Sequence, residues 1–298
     1  MSLLLATLAL AFSPACAPEG EVQPVDGPES LFLRYTEKDE ATGEASLQTA
    51  IVRYKDDEGR AVDLIGVVHI GEQSYYEEMN AIFKSYEALL YELVAPETYR
   101  PEKAEHTSGL GLFQKGFGDM LGLTFQLDWI DYQAENFVHA DVTPGRLSDL
   151  MDENGDNLYT VMLSAMLASM KANANIDPEE AQAAGIEMML ALLSTDNGRS
   201  LKNVLAKQFG DLEKLAAGLN DSRAGELLLT ERNKACVEVI EKQLDAGQKR
   251  IGVFYGAAHM PDLEKRLRGM GFEATSEVWL DAWAVPARKK KKKQAQEF

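Results

Sequence analysis

The chain has 298 residues, of which 45% are hydrophobic and 26% charged, the balance of an ordinary globular protein. Its formal charge of −18 becomes −24 once the six basic residues from Arg288 to Lys293 are set aside. Such an acidic body repels phosphate backbones, which excludes general nucleic-acid binding. Two cysteines, Cys16 and Cys236, exclude a disulfide framework and a four-cysteine zinc site.

Residues 1–17 read as a secretion signal: the apolar stretch from Leu3 to Phe12 is too short to cross a membrane and is followed by small residues. Cys16 stands in a loose lipoprotein processing site, so a lipid anchor there is one expectation and a buried N-terminal element the other. The export reading places the protein in the periplasm, on the membrane as a lipoprotein or at the cell surface. Residues 18–29, rich in Pro, Gly and acid, read as a linker, 30–286 as the folded domain and 287–298 as a basic disordered tail.

Within the domain, 30–36 and 48–55 read as strands joined through a turn at Gly43. Residues 61–69 (AVDLIGVVH) form a nearly continuous apolar run, as a strand buried on both faces requires. Ser74 and Glu77 have capping-box spacing and predict a helix over 75–86. Strands follow at 88–94 and 137–141, and Thr143-Pro144 reads as an N-cap with proline at the first helical position. Residues 143–246 read as mostly helical, with a long helix over 224–246 stopped by Gly247. A third apolar strand covers 250–259, Pro261 opens a helix ending near Gly269, and the chain closes on a strand or hairpin. The predicted fold is α/β, a central mixed, largely parallel sheet flanked by helices, with a helical insertion mid-chain.

Ligands of open α/β sheets bind at the carboxyl ends of the strands. Four predicted strands end there in an ionisable residue: His69, Glu92, His139 with Asp141, and His259. A buried Glu92 needs a cation, either arginine or a metal. Two histidines and a carboxylate form a common ligand set for Zn, Mn, Fe or Co. Gly66 and Gly256 leave room for a ligand or another backbone. His139 also reads as a core histidine and Asp141 as a turn cap. On the 224–246 helix, Arg232 and Asn233 fall inside the apolar arc and Glu231 at its edge, so Arg232 faces inward and calls for an anion such as Glu92, Asp141 or a substrate oxygen. Cys236 lies on the same arc as packing. The Gly-, Leu- and Phe-rich segment 109–130 reads as a lid, a membrane-touching loop or core packing, and the mid-chain methionines as core filler or adaptable lining. There is no phosphate-binding glycine loop, G-x-S-x-G elbow or H-E-x-x-H.

The paired GVVH (66–69) and GAAH (256–259), LLYEL (89–93) with Glu92, and ERN (231–233), in that order, resemble the TraB/TIKI (GumN-like) family over roughly 60–285. That family is grouped with the erythromycin esterase-like and haem-binding ChaN-like proteins. The resemblance implies an α/β hydrolase, with a divalent metal (Mn, Co or Zn) on His69, His259 and Glu92, acting on a peptide or ester. Glu92 would be ligand or general base, Arg232 would hold the substrate oxygen, Asn233 would orient it and Glu231 would hold Arg232. Many relatives carry Asp where this chain has Asn233. Three alternatives stand beside it: a metal-free esterase with His69 as base and Glu92 as its orienter, a haem- or iron-binding surface lipoprotein using a histidine or one of Tyr75, Tyr76 and Tyr255 as ligand, and a purely structural or interaction protein.

Overall fold

The computed structural model describes residues 30–102, 118–157, 159–161, 163–164, 167, 178–210 and 222–288. The signal, Cys16, the linker, His106, the first half of the 109–130 segment and the tail after Arg288 lie outside the described residues. The strands are β1 Leu33–Asp39, β2 Glu44–Lys55, β3 Ala61–Val67, β4 Ile70–Gly71, β5 Ala88–Tyr91, β6 Thr124–Phe125, β7 Phe137–His139, β8 Arg250–Gly256 and β9 Glu273–Val285. The helices are α1 Gln73–Phe83, α2 Gln126–Trp129, α3 Pro144–Glu153, α4 Pro178–Leu192 and α5 Arg199–Gly210. Then come α6, which runs Arg223–Gly225, widens into a π turn over Glu226–Thr230 and continues Glu231–Asp245, and α7, Met260–Gly269.

Seven strands form the main sheet, with β3, β8, β5 and β7 adjacent in that order and mutually parallel. β2 is antiparallel to β1, β3 and β9, so it alone among the seven runs against the rest. One edge of β2 carries β1 and then β3, while the other pairs with β9 from Ala45 to Lys55. The chain's closing segment is therefore one 13-residue strand rather than a hairpin.

Helices cover both faces of the sheet. Along β8, Phe254 packs on one side with Phe83 of α1 and Leu201 of α5. Ile251, Val253 and Tyr255 pack on the other with Cys236 and Ile240 of α6 and Leu263 of α7. Double coverage explains why all seven residues of β3 are buried and why the run 61–67 is apolar but for Asp63, which pairs with Arg53.

Local signals account for several boundaries. Gly43 turns the β1–β2 connection at φ +66°, and Gly247 ends α6 at φ +90°. Thr143 accepts the Arg146 N–H at 3.2 Å with Pro144 beginning α3. The capping box expected at Ser74–Glu77 does not form: α1 begins at Gln73, whose side chain donates to the Glu77 carboxylate at 2.6 Å, and the Glu72 side chain at the N-cap turns away from the helix to Lys202 and the Ala284 N–H. No described helix is long and apolar enough to cross a membrane.

Candidate functional site

The four parallel strands bring their carboxyl ends to one edge. His69 stands two residues past β3, Glu92 directly after β5, Asp141 two past β7, and His259 at the end of the short 3₁₀ turn that follows β8. Because β8 lies between β3 and β5, the late His259 enters between the early His69 and Glu92. Gly256 marks the centre of the group. A Cβ placed on it would lie 3.2 Å from Glu92 Oε2, 3.5 Å from His69 Nε2 and 3.8 Å from His259 Cδ2.

α6 supplies the cation. Arg232 Nε donates to Asp141 Oδ1 at 3.0 Å, and Nη2 to Asp141 Oδ2 at 2.5 Å and Glu92 Oε1 at 2.7 Å. Nη1 reaches the Leu228 carbonyl at 3.3 Å. Four of the five guanidinium hydrogens are thus committed. The π turn sets this orientation: the Glu231 N–H bonds to the Glu226 carbonyl, five residues back, and the extra residue re-phases the helix just before Arg232. The inward Arg232 expected from the helical wheel is present, with Asp141 and Glu92 as its anions.

Glu92 accepts at both oxygens. Oε2 takes the Gly256 N–H at 2.7 Å, and Oε1, besides Arg232, lies 3.4 Å from His259 Nε2. Burial works to raise the Glu92 carboxyl. The hydrogen bond and charge of His259, with the charges of Arg232 and His69, overcome that and hold it well below the usual carboxylate range. His259 is buried, and its Nδ1 lies 2.7 Å from Asn233 Oδ1. His69 is exposed, and its Nδ1 lies 2.9 Å from Gln126 Oε1.

Several expected roles fall elsewhere. Glu231 does not hold Arg232: its carboxylate lies 2.5 Å from Lys234 Nζ. Asn233 is fully buried and spent on His259 and on Asp262, at 2.9 Å, so it faces no substrate oxygen. Glu92 orients His259 rather than His69, whose partner is Gln126. Gln126 went unseen in the sequence because it sits in an apolar stretch with no period. His139 is structural, bonding the Leu93 carbonyl at 2.7 Å. Cys236 is fully buried, and burial pushes its thiol up. The three tyrosines offered as iron ligands are also buried and committed: Tyr75 to Thr49 at 2.8 Å, Tyr76 to the Val68 carbonyl at 2.9 Å and Tyr255 to the Ala140 carbonyl. Burial raises all three phenols, against the phenolate an iron site needs. Gly66 admits the Phe32 backbone rather than a ligand.

No family model, curated protein or solved structure matches the chain. The donor set itself tests the expected metal. Both Asp141 oxygens face Arg232, and both Glu92 oxygens are shared among Arg232, His259 and the Gly256 N–H. A dication on Glu92 would adjoin the Arg232 guanidinium, which already donates to that carboxylate. Among the described residues no three His, Cys, Asp or Glu side chains are grouped to hold an ion. His69, His259 and Glu92 therefore meet in space without fitting a three-ligand metal centre.

The crowding at Gly256 makes a direct test. Its φ of −52° and ψ of 138° suit any residue, so Gly256→Ala carries no backbone strain. The added methyl enters between Glu92 and the two imidazoles. Turnover of a substrate should fall about 100-fold while the urea midpoint moves little, as for a catalytic centre displaced by an ångström or less.

Proposed function

We propose that this strand-end cluster is the active site of a TraB/TIKI-like hydrolase that cleaves an ester or peptide bond with water, using His69 as general base. The convergence of His69 Nε2, Glu92 Oε2 and His259 on the space beside Gly256 carries this reading. His69 is exposed to incoming substrate, and its Nδ1 is taken by Gln126, so Nε2 is left for the reaction. Nε2 removes a proton from water as the water oxygen bonds to the substrate carbonyl carbon. The resulting imidazolium lies near the ionised Glu92, which stabilises it. The tetrahedral intermediate then expels its alkoxide or amine, which takes the proton back from His69 Nε2. The remaining Nη1 hydrogen of Arg232 is a donor for the oxyanion, although the guanidinium's main task is to hold Glu92 and Asp141. The apolar stretch and small-residue flank in residues 1–17 support an enzyme working outside the cytoplasm.

The deciding experiment is a panel of aryl esters, alkyl esters and peptides, assayed after exhaustive chelation and again with Mn, Co or Zn added. Turnover that survives chelation is expected. Turnover that appears only with one of these metals would replace His69 as base by a metal-bound water, and no turnover on the whole panel would remove the hydrolase reading.

A further inference from the structure

We infer that Gln126 and Asn233 are a matched pair of positioning residues, each gripping one site histidine at two points and keeping a hydrogen on its Nδ1, which leaves His69 Nε2 for chemistry and turns His259 Nε2 toward Glu92. This rests on reading His69 as the general base and His259 as its neighbour in the same site. The Gln126 backbone N–H donates to the His69 carbonyl at 3.0 Å while its side-chain Oε1 meets His69 Nδ1 at 2.9 Å. Asn233 does the same with its side chain alone: Nδ2 donates to the His259 carbonyl at 3.2 Å and Oδ1 meets His259 Nδ1 at 2.7 Å. A carboxamide oxygen only accepts, so each Nδ1 carries the hydrogen.

Each amide has a further partner. Gln126 Nε2 donates to the Tyr132 hydroxyl at 2.7 Å, in a pocket where both residues are buried. Asn233 Nδ2 also donates to Asp262 Oδ2 at 2.9 Å, and Arg266 Nε holds that same oxygen at 2.7 Å. Turning the Asn233 amide over would set its oxygen against a carbonyl and a carboxylate, so its direction is forced. Carboxylates in these places would fix the same tautomers but add negative charge beside Glu92 and Asp141, which share one arginine. The amides orient the rings and leave the charge unchanged. They give the two G-x-x-H histidines matching Nδ1 clamps although the clamps come from unrelated elements, α2 and α6.

The test reads the tautomers directly. The chain has four histidines, so ¹⁵N-labelled histidine in the full-length protein gives few signals to assign. Long-range ¹H–¹⁵N spectra at alkaline pH should place a hydrogen on Nδ1 of both His69 and His259. Gln126→Leu should release His69 alone and Asn233→Leu His259 alone, while Gln126→Glu, which keeps an acceptor, should retain the His69 tautomer. On an ester or peptide that is turned over, Gln126→Leu should lower kcat about 10–100-fold with little change in KM. A wild-type spectrum with the hydrogen on Nε2 at either position overturns the inference even if no variant folds, as does a His69 tautomer unmoved in folded Gln126→Leu. The expected tautomers in a protein that turns over nothing would support the clamps and count against the hydrolase reading alone.

Discussion

Replacing Arg232 with methionine should destabilise the folded chain by about 3–5 kcal/mol, the usual result of removing one partner from a buried ion network. The Asp141 side chain is fully buried and that of Glu92 is 12% exposed, so neither recovers its hydration once the guanidinium is gone. The loss should appear as a lower urea midpoint at an unchanged slope. Adding Glu92→Gln and Asp141→Asn to the same chain should return most of it, because the penalty comes from orphaned charge rather than from missing volume. A single variant within 1 kcal/mol of wild type would mean that the cluster opens to water. The network also fixes a pH window. The Glu92 carboxyl lies below its ordinary value in the folded chain, so its contribution is complete above about pH 4.3 and drains away as pH falls from there toward the depressed native value.

His69→Gln should have the opposite signature. The ring is exposed and its fixed partner is one amide, so stability should stay within about 0.5 kcal/mol of wild type. Turnover should drop about 10²- to 10⁴-fold, the usual share of a general base. His259→Gln removes a buried ring held by Asn233 and facing Glu92, and should lower both activity and stability. Wild-type turnover by His69→Gln would remove that residue from the mechanism.

The parallel core of the fold and the membership of its polar edge were legible in the sequence because strands buried on both faces leave unbroken apolar runs, and an ionisable residue ending such a run stands out. Arg232 was legible because from Glu231 onward α6 has regular helical phase. The reversed β2 and its long pairing with β9 were not, since neither strand's pattern names its neighbour. Gln126 escaped notice because its role depends on a partner 57 positions away and on no periodicity of its own. The metal expectation rested on donor types and on the family resemblance. Which donors the guanidinium had already taken could be seen only in three dimensions. At position 233 the structure gives asparagine a reason: its NH₂ donates to Asp262, which a carboxylate could not do.

The π turn in α6 separates two packing problems that share one helix. Ahead of and within it, Ala224 and Leu227 pack into a small cluster with Leu150 and Val161, while beyond it Cys236, Ile240 and Leu244 face the sheet. A regular helix would lock these two faces at a fixed angle of about 100° per residue. The surplus residue between Glu226 and Glu231 absorbs the mismatch. The helical region around α3 can thus change its own packing without turning Arg232 away from Glu92, whereas losing a single residue from the turn would swing the arginine off the site with every other side chain unchanged.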